Sequence, residues 1–265
     1  MDRIKPKVMK LVTNHHLLPV EHNQTSCADC SIRRLALFHG VPENDLLWTQ
    51  SYRSNQYTLP ARKEILRESL PGEFLFTIYH GWFAIYKNLD NGRRQILRIS
   101  LPGDMLGFQA QLDAPMSYSA ISLTDAVLCA FPRANIPELL RKNPNVARRL
   151  TELNARDMHI CQNRLLTVGQ QPAIERIAFF CAELYYRIKH IYNNTDKHEI
   201  FFPLSQEDIG DATGLTKIHV NRTLKTLREQ GLMSIASKTL HVHDVDALCR
   251  LGGFDPSAVH VHNLY

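Results

Sequence analysis

At 265 residues the chain is longer than one average domain and long enough for two with a connector. Its 44% hydrophobic and 22% charged residues can bury a sizeable core, which excludes a disordered chain or a disulfide-stapled miniature. A formal net charge of +5, from 31 Lys plus Arg against 26 Asp plus Glu, admits nucleic acid as a partner but does not single it out.

No apolar run approaches the roughly 18 residues of a membrane span. The first residues also lack a signal-peptide core with its cleavage site, so a cytoplasmic protein with no membrane partner is expected. In such a reducing compartment six Cys read as free thiols or metal ligands rather than as disulfides. The expected fold class is α+β.

Residues 1–44 form a polar, His-rich lead with Cys27-Ala28-Asp29-Cys30 and a predicted short helix through Ile32, Leu35 and Leu37. A lone Cys-x2-Cys is half of a zinc site. His15, His16, His260 and His262 read as solvated. Residues 45–143 change to short β-type runs, such as Phe74 to Ile78, Trp82 to Tyr86 and Gln95 to Ile99. Turn signals at Pro71-Gly72, His80-Gly81, Asp90-Asn91-Gly92 and Pro102-Gly103 punctuate them, a pattern of antiparallel barrels and jelly rolls.

Over residues 144–170 the apolar period becomes helical, with Leu150, Leu153, Met158, Cys161, Leu165 and Val168 along one seam. That seam predicts a dimer interface, the alternative being a helix packed on its own barrel. Cys161 would there lie near its counterpart and allow an intersubunit disulfide under oxidation. Gly169-Gln170-Gln171-Pro172 breaks the helix and marks a hinge.

Residues 171–252 begin with an amphipathic helix, Glu175 to Ile188, in which Cys181 reads as a core residue, and a short strand from Ile200. Ser205-Gln206-Glu207-Asp208 then resembles a capping box. Thr213-Gly214-Leu215 supplies a tight turn, and Thr216 caps a second helix with Val220, Leu224 and Leu227 inward. Met233 to Ile235 and Thr239 to Val242 read as a hairpin, making the motif a winged helix-turn-helix. Cys249 has no sequence partner, and residues 253–265 form a tail.

The candidate DNA-contacting residues are Ser205, Gln206, Thr216, Lys217, Ile218, His219, Asn221, Arg222 and Lys225. The planar fork of Arg222 suits G O6 and N7, Asn221 suits adenine or a phosphate, Lys217 and Lys225 suit phosphates, and Ile218 suits a thymine methyl. The bland reading of the same residues is a solvated helix face. No catalytic residue is assigned. The enzyme alternative, a cupin-like metalloenzyme, needs a His-x-His with a following Glu, and the barrel region holds only His80.

This order of parts resembles the CRP/FNR family of bacterial transcription regulators over roughly residues 27–252. Leu101-Pro-Gly-Asp-Met-Leu-Gly-Phe108 is similar to that family's barrel turn, Pro172 to Ala178 to the start of its DNA-binding domain, and Leu204 to Leu232 to its helix-turn-helix. The resemblance implies homodimers on palindromic double-stranded DNA, with the barrel as sensor and RNA polymerase as a partner. It assigns base reading to Arg222, whereas Ile218 stands where many members carry Glu.

Cyclic AMP is not expected as a ligand, because Gly107-Phe108-Gln109 is followed by Met116-Ser117-Tyr118 with no Arg to neutralise a phosphate. The FNR-like branch is the better match, and there an iron-sulfur cluster is held by four Cys. Cys27, Cys30 and Cys129 match three of those positions, and Ala36 falls on the fourth. His22, His39, Asp29 or water would have to complete it. Thiol redox chemistry, zinc, or no effector at all are the other readings of the signal.

Overall fold

The computed structural model describes residues 17–20, 24–111, 113–193 and 198–259, so His15, His16, His22, His260 and His262 lie outside the described residues. In chain order the first half comprises β1 (Leu18–Pro19), α1 (Glu43–Gln50), β2 (Asn55–Leu59), β3 (Glu64–Leu66) and β4 (Phe74–His80). It continues with β5 (Phe83–Asn88), β6 (Arg94–Ser100), β7 (Met105–Leu106), β8 (Ser119–Ser122) and β9 (Ala126–Pro132). Two antiparallel sheets, β1-β2-β9-β4-β7 and β3-β8-β5-β6, face each other as a jelly roll. Phe76, Ile78, Phe83, Leu106, Leu128 and Ala130 fill the space between them because alternate residues of each strand point inward.

Two expectations for the start of the chain are corrected. The predicted short helix through Ile32, Leu35 and Leu37 is a run of tight turns whose apolar side chains are buried. Residues 43–50 form α1 rather than the first barrel segment. Glu43 and Asp45 stand in its first turn after Pro42, and only Leu46 and Thr49 are buried. Arg149 then straps the lead to the body of the molecule, donating to the carbonyls of Leu35 (2.9 Å) and Ala36 (3.3 Å).

After α2 (Ile136–Lys142), Asn143 caps α3 (Pro144–Gln170) by accepting from the Val146 N–H, with Pro144 in the first turn. The 27-residue helix is not the single-faced seam predicted. Leu150 and Leu153 are 5% and 1% exposed, inside a core with Leu75, Phe131 and Leu139, and so do not contribute to a dimer surface. Val168 is half-buried against the Gly214 turn. Of the predicted set only Met158, Cys161 and Leu165 reach solvent. The free face is rotated by about one residue and runs through Thr151, Ala155, Met158, Gln162 and Leu165, a 4-3-4-3 spacing. Its own barrel takes one stripe of the helix and leaves the other open.

The second half comprises α4 (Ala173–Tyr192), β10 (Glu199–Phe201), α5 (Gln206–Thr213), α6 (Lys217–Glu229), β11 (Met233–Ala236), β12 (Thr239–Val242) and α7 (Val245–Gly252). The helical path breaks at Gln171 and Pro172, both extended, so Gly169 and Gln170 belong to α3 and not to the hinge. The half does not swing free. Trp82, Ile96, Ile99 and Leu101 of the barrel share one core with Phe180, Leu184 and Phe202.

Buried charges reinforce that junction. Asp104, in the Leu-Pro-Gly-Asp turn, accepts from Arg156 of α3 and Arg187 of α4, each at 2.7 Å. Burial alone would raise its pKa, but Arg156, Arg187 and Arg98 outweigh that and hold the carboxyl below its usual value. Arg164 and Arg187 close on Glu183 in the same way, at 3.0 and 3.1 Å. Among the described residues no helix is long and apolar enough to cross a membrane.

Candidate nucleic-acid interface

Ser205 and Asp208 form the reciprocal capping box that opens α5. The Asp208 N–H donates to Ser205 Oγ (3.1 Å) and the Ser205 N–H to Asp208 Oδ2 (3.0 Å). Gly214 ends the helix at φ 71°, a left-handed turn that a side chain would strain. Gly210 lets α6 approach, since a Cβ there would lie 2.5 Å from the Leu215 carbonyl oxygen. Thr216 caps α6 by accepting from the His219 N–H, and Val220 and Leu227 are fully buried beneath it.

With the inward face so anchored, Lys217, Ile218, His219, Asn221, Arg222 and Lys225 stand in solvent on one helix surface. Ile218 is 75% exposed, an unusual setting for a β-branched apolar side chain and one a thymine methyl would cover. Asn221 Nδ2 donates to Gln206 Oε1 (3.3 Å), joining the two helices at the surface. Among the described residues Lys225 pairs with Glu229, at 3.7 Å and largely exposed, a pairing weak enough to yield to a phosphate. Ser205 is exposed, but its hydroxyl is committed to Asp208.

The hairpin is as predicted, with Ser237 and Lys238 in a left-handed two-residue turn. Lys238 lines a groove with His80, Trp82 and Asp125 of the barrel, so the wing leans on the sensor half. Arg228, exposed in the last turn of α6, joins the basic surface, though it lies beyond the first turns that the sequence pattern marks out.

Two barrel residues clamp α5, and sequence reasoning did not find them. Arg62 forks Asp208 at 3.0 and 2.8 Å, while Arg94 reaches Asp208 (3.0 Å) and Asp211 (2.8 Å). Burial pushes the Asp208 pKa up, yet hydrogen bonds from Arg62 and Ser205 prevail and bring it to about 2. A depressed carboxyl stabilises above its unfolded-state pKa, near 4, and that contribution disappears as pH falls toward about 2. An acid titration followed by tryptophan fluorescence is therefore expected to show a step in this window that Asp208→Asn flattens. An unaltered titration in the variant would count against the clamp.

The thiols form a separate cluster. Cys27, Cys30 and Cys129 line one small pocket together with Ala36, Phe38 and Thr77, so the fold brings together what the resemblance implied. Cys129 Sγ accepts from Gln56 Nε2 at 3.4 Å. Ala36 supplies no ligand, Asp29 is bonded to Ser26 and does not line the pocket, and neither does His39. Among the described residues no three His, Cys, Asp or Glu side chains stand at metal-binding spacing. Among the described residues the donor set does not complete a four-ligand iron-sulfur cluster.

Burial pushes the Cys27 thiol up to about 11 and raises Cys30 as well. At neutral pH alkylation is thus expected at exposed Cys161 well before Cys27. Peptide mapping checks this order, and equal labelling would show that the pocket opens.

Residues 57–143 match the model of the cyclic nucleotide-binding domain, and residues 175–251 match the Crp-like helix-turn-helix domain. The chain is 27% identical to the nitrogen fixation regulation protein FixK of Bradyrhizobium diazoefficiens over 232 residues, covering 88% of this chain and 92% of that protein. It is 24% identical to the fumarate and nitrate reduction regulatory protein of Escherichia coli over 227 residues, covering 86% and 90%. The solved structure of FixK2 from Bradyrhizobium japonicum superposes with a TM-score of 0.66 at 26% identity, over 74% of this chain and 96% of that one. Barrel, long helix and helix-turn-helix thus occur together, in the same order, in proteins matched nearly end to end, and the chain belongs to the CRP/FNR family of transcription regulators.

Proposed function

We propose that this chain is a sequence-specific transcription regulator that binds palindromic double-stranded DNA as a homodimer, in the cytoplasm, and acts on RNA polymerase. The observation that carries the reading is the solvent-facing set Lys217, Asn221, Arg222 and Lys225 on a rigidly capped α6. The open 4-3-4-3 face of α3 supplies the dimer contact. A cupin-like enzyme is set aside, since the relatives are named as regulators and the barrel segment offers His80 alone.

The barrel controls DNA binding by shifting the population of domain arrangements about Gln171 and Pro172. A cyclic nucleotide is disfavoured as its ligand because the Gly107 N–H, in the turn that would meet a phosphate, donates to Tyr118 Oη at 2.8 Å. Names such as anaerobic regulatory protein among the relatives favour a redox-linked signal. Without a complete cluster site among the described residues, that signal acts through thiols or through the abundance of the regulator itself. Protein purified without oxygen is then expected to be colourless. A broad absorption that bleaches in air would instead restore the cluster, with a ligand from outside the described residues.

The main test is selection from random duplexes. An inverted repeat with half-sites about one helical turn apart is the expected product, together with affinity that falls steeply with salt. Salt-insensitive or absent binding would refute the reading in favour of a non-DNA-binding adaptor.

A further inference from the structure

We infer that the DNA interface continues from the helix pair onto the barrel, where Arg62 is a phosphate ligand for duplex DNA flanking the half-site. This rests on the DNA-binding reading above. Arg62 sits at the β2–β3 turn with its side chain 46% exposed, beside the α5 end that carries Ser205 and Gln206. Gln206 is bonded to Asn221 on the recognition helix. Asp208, which Arg62 holds, lies two residues along α5 from Gln206, so the barrel guanidinium stands at the end of α5 that meets the proposed base-reading surface.

Two features separate Arg62 from an ordinary structural ion pair. Its backbone adopts φ 62°, a left-handed conformation in which a side chain other than Gly is strained, so the turn keeps a charged residue at a conformational cost. Its partner is also over-supplied. Asp208 receives Arg94 on Oδ1 and the Ser205 N–H and hydroxyl on Oδ2, so its carboxylate stays neutralised when Arg62 leaves. Arg94, at 22% exposure and shared with Asp211, is the member that stays. A half-exposed Arg can exchange one anion for another with little loss.

The groups facing Arg62 are Asp208 and Glu207 of α5, with Arg94 nearby on β6. Glu207 is exposed, so the site attracts a phosphate through the single positive charge of Arg62 and not through a general basic patch. The contact is therefore with the backbone and independent of base sequence.

The test uses the full-length protein and a selected operator in two lengths, one ending at the half-sites and one extended by about one helical turn on each side. For Arg62→Ala the expected result is a loss on the order of tenfold on the long duplex, with a salt slope lower by about one per subunit, against a clearly smaller loss on the short duplex, which reads the α5 clamp alone. Arg62→Lys, which keeps the charge but loses the fork, is expected to retain most of the long-duplex affinity. Equal losses on both lengths, or losses as large for Arg62→Lys as for Arg62→Ala, would overturn the proposal and leave Arg62 as a clamp for α5 only. Failure of the unaltered protein to select any operator would overturn this inference together with the DNA-binding reading, which sets that outcome apart from the others.

Discussion

Replacing Arg222 with Ala is expected to weaken binding to the selected operator by about 1–3 kcal/mol and to relax base preference at one position of each half-site. Arg222 is exposed on the first turns of α6, while Val220 and Leu227 beneath it are fully buried and hold the helix in place. The substitution thus removes a contact without moving the scaffold. A guanidinium facing a guanine forms two parallel hydrogen bonds that no other base reproduces, so the loss should appear as lost discrimination. Lys225→Ala is the control. A flexible ammonium neutralises a phosphate in any sequence, so its removal should lower specific and random binding together. Competition binding at two salt concentrations separates the two patterns, and equal losses for Arg222→Ala on specific and random duplexes would defeat the base-reading role.

A charge placed on the open face of α3, as Leu165→Asp, is expected to abolish the dimer at micromolar concentration. Leu165 and Met158 are 77% and 62% exposed in the single chain. Burying each against its twin is worth roughly 1.5–3 kcal/mol, and in a two-fold arrangement every contact occurs twice. A pair of carboxylates at that position replaces this gain with the cost of desolvating like charges. Sedimentation velocity reads the outcome directly, with operator affinity falling in parallel because one half-site alone binds weakly. Leu150 is unsuitable for the experiment. It is buried against its own barrel, so a charge there unfolds the lead and α3 junction before it tests assembly. A dimer unchanged by Leu165→Asp would move the interface to another face.

The helix-turn-helix was the most legible part of the chain. Capping residues, a Gly at the turn and inward apolar residues at helical spacing are local requirements, and they point to the structure without reference to the rest of the fold. The hairpin turn at Ser237 and Lys238 was legible for the same reason. Barrel strands were readable as runs bounded by Gly and Pro, but the turn-rich lead imitated a helix because buried Ile32 and Leu35 stand three residues apart, as on a helix face.

What the sequence determined by itself is the order of parts, the positions of the two helices of the binding motif, and the residues facing outward from α6. Tertiary structure alone decided which stripe of α3 is free, because a long amphipathic helix presents two apolar edges and only packing shows which one the barrel consumes. It also decided that Cys27, Cys30 and Cys129 share a pocket with Ala36, and that Asp104 and Asp208 tie the halves together. These are contacts between residues far apart in the chain, and periodicity, which reports only a residue's immediate neighbours, carries no record of them.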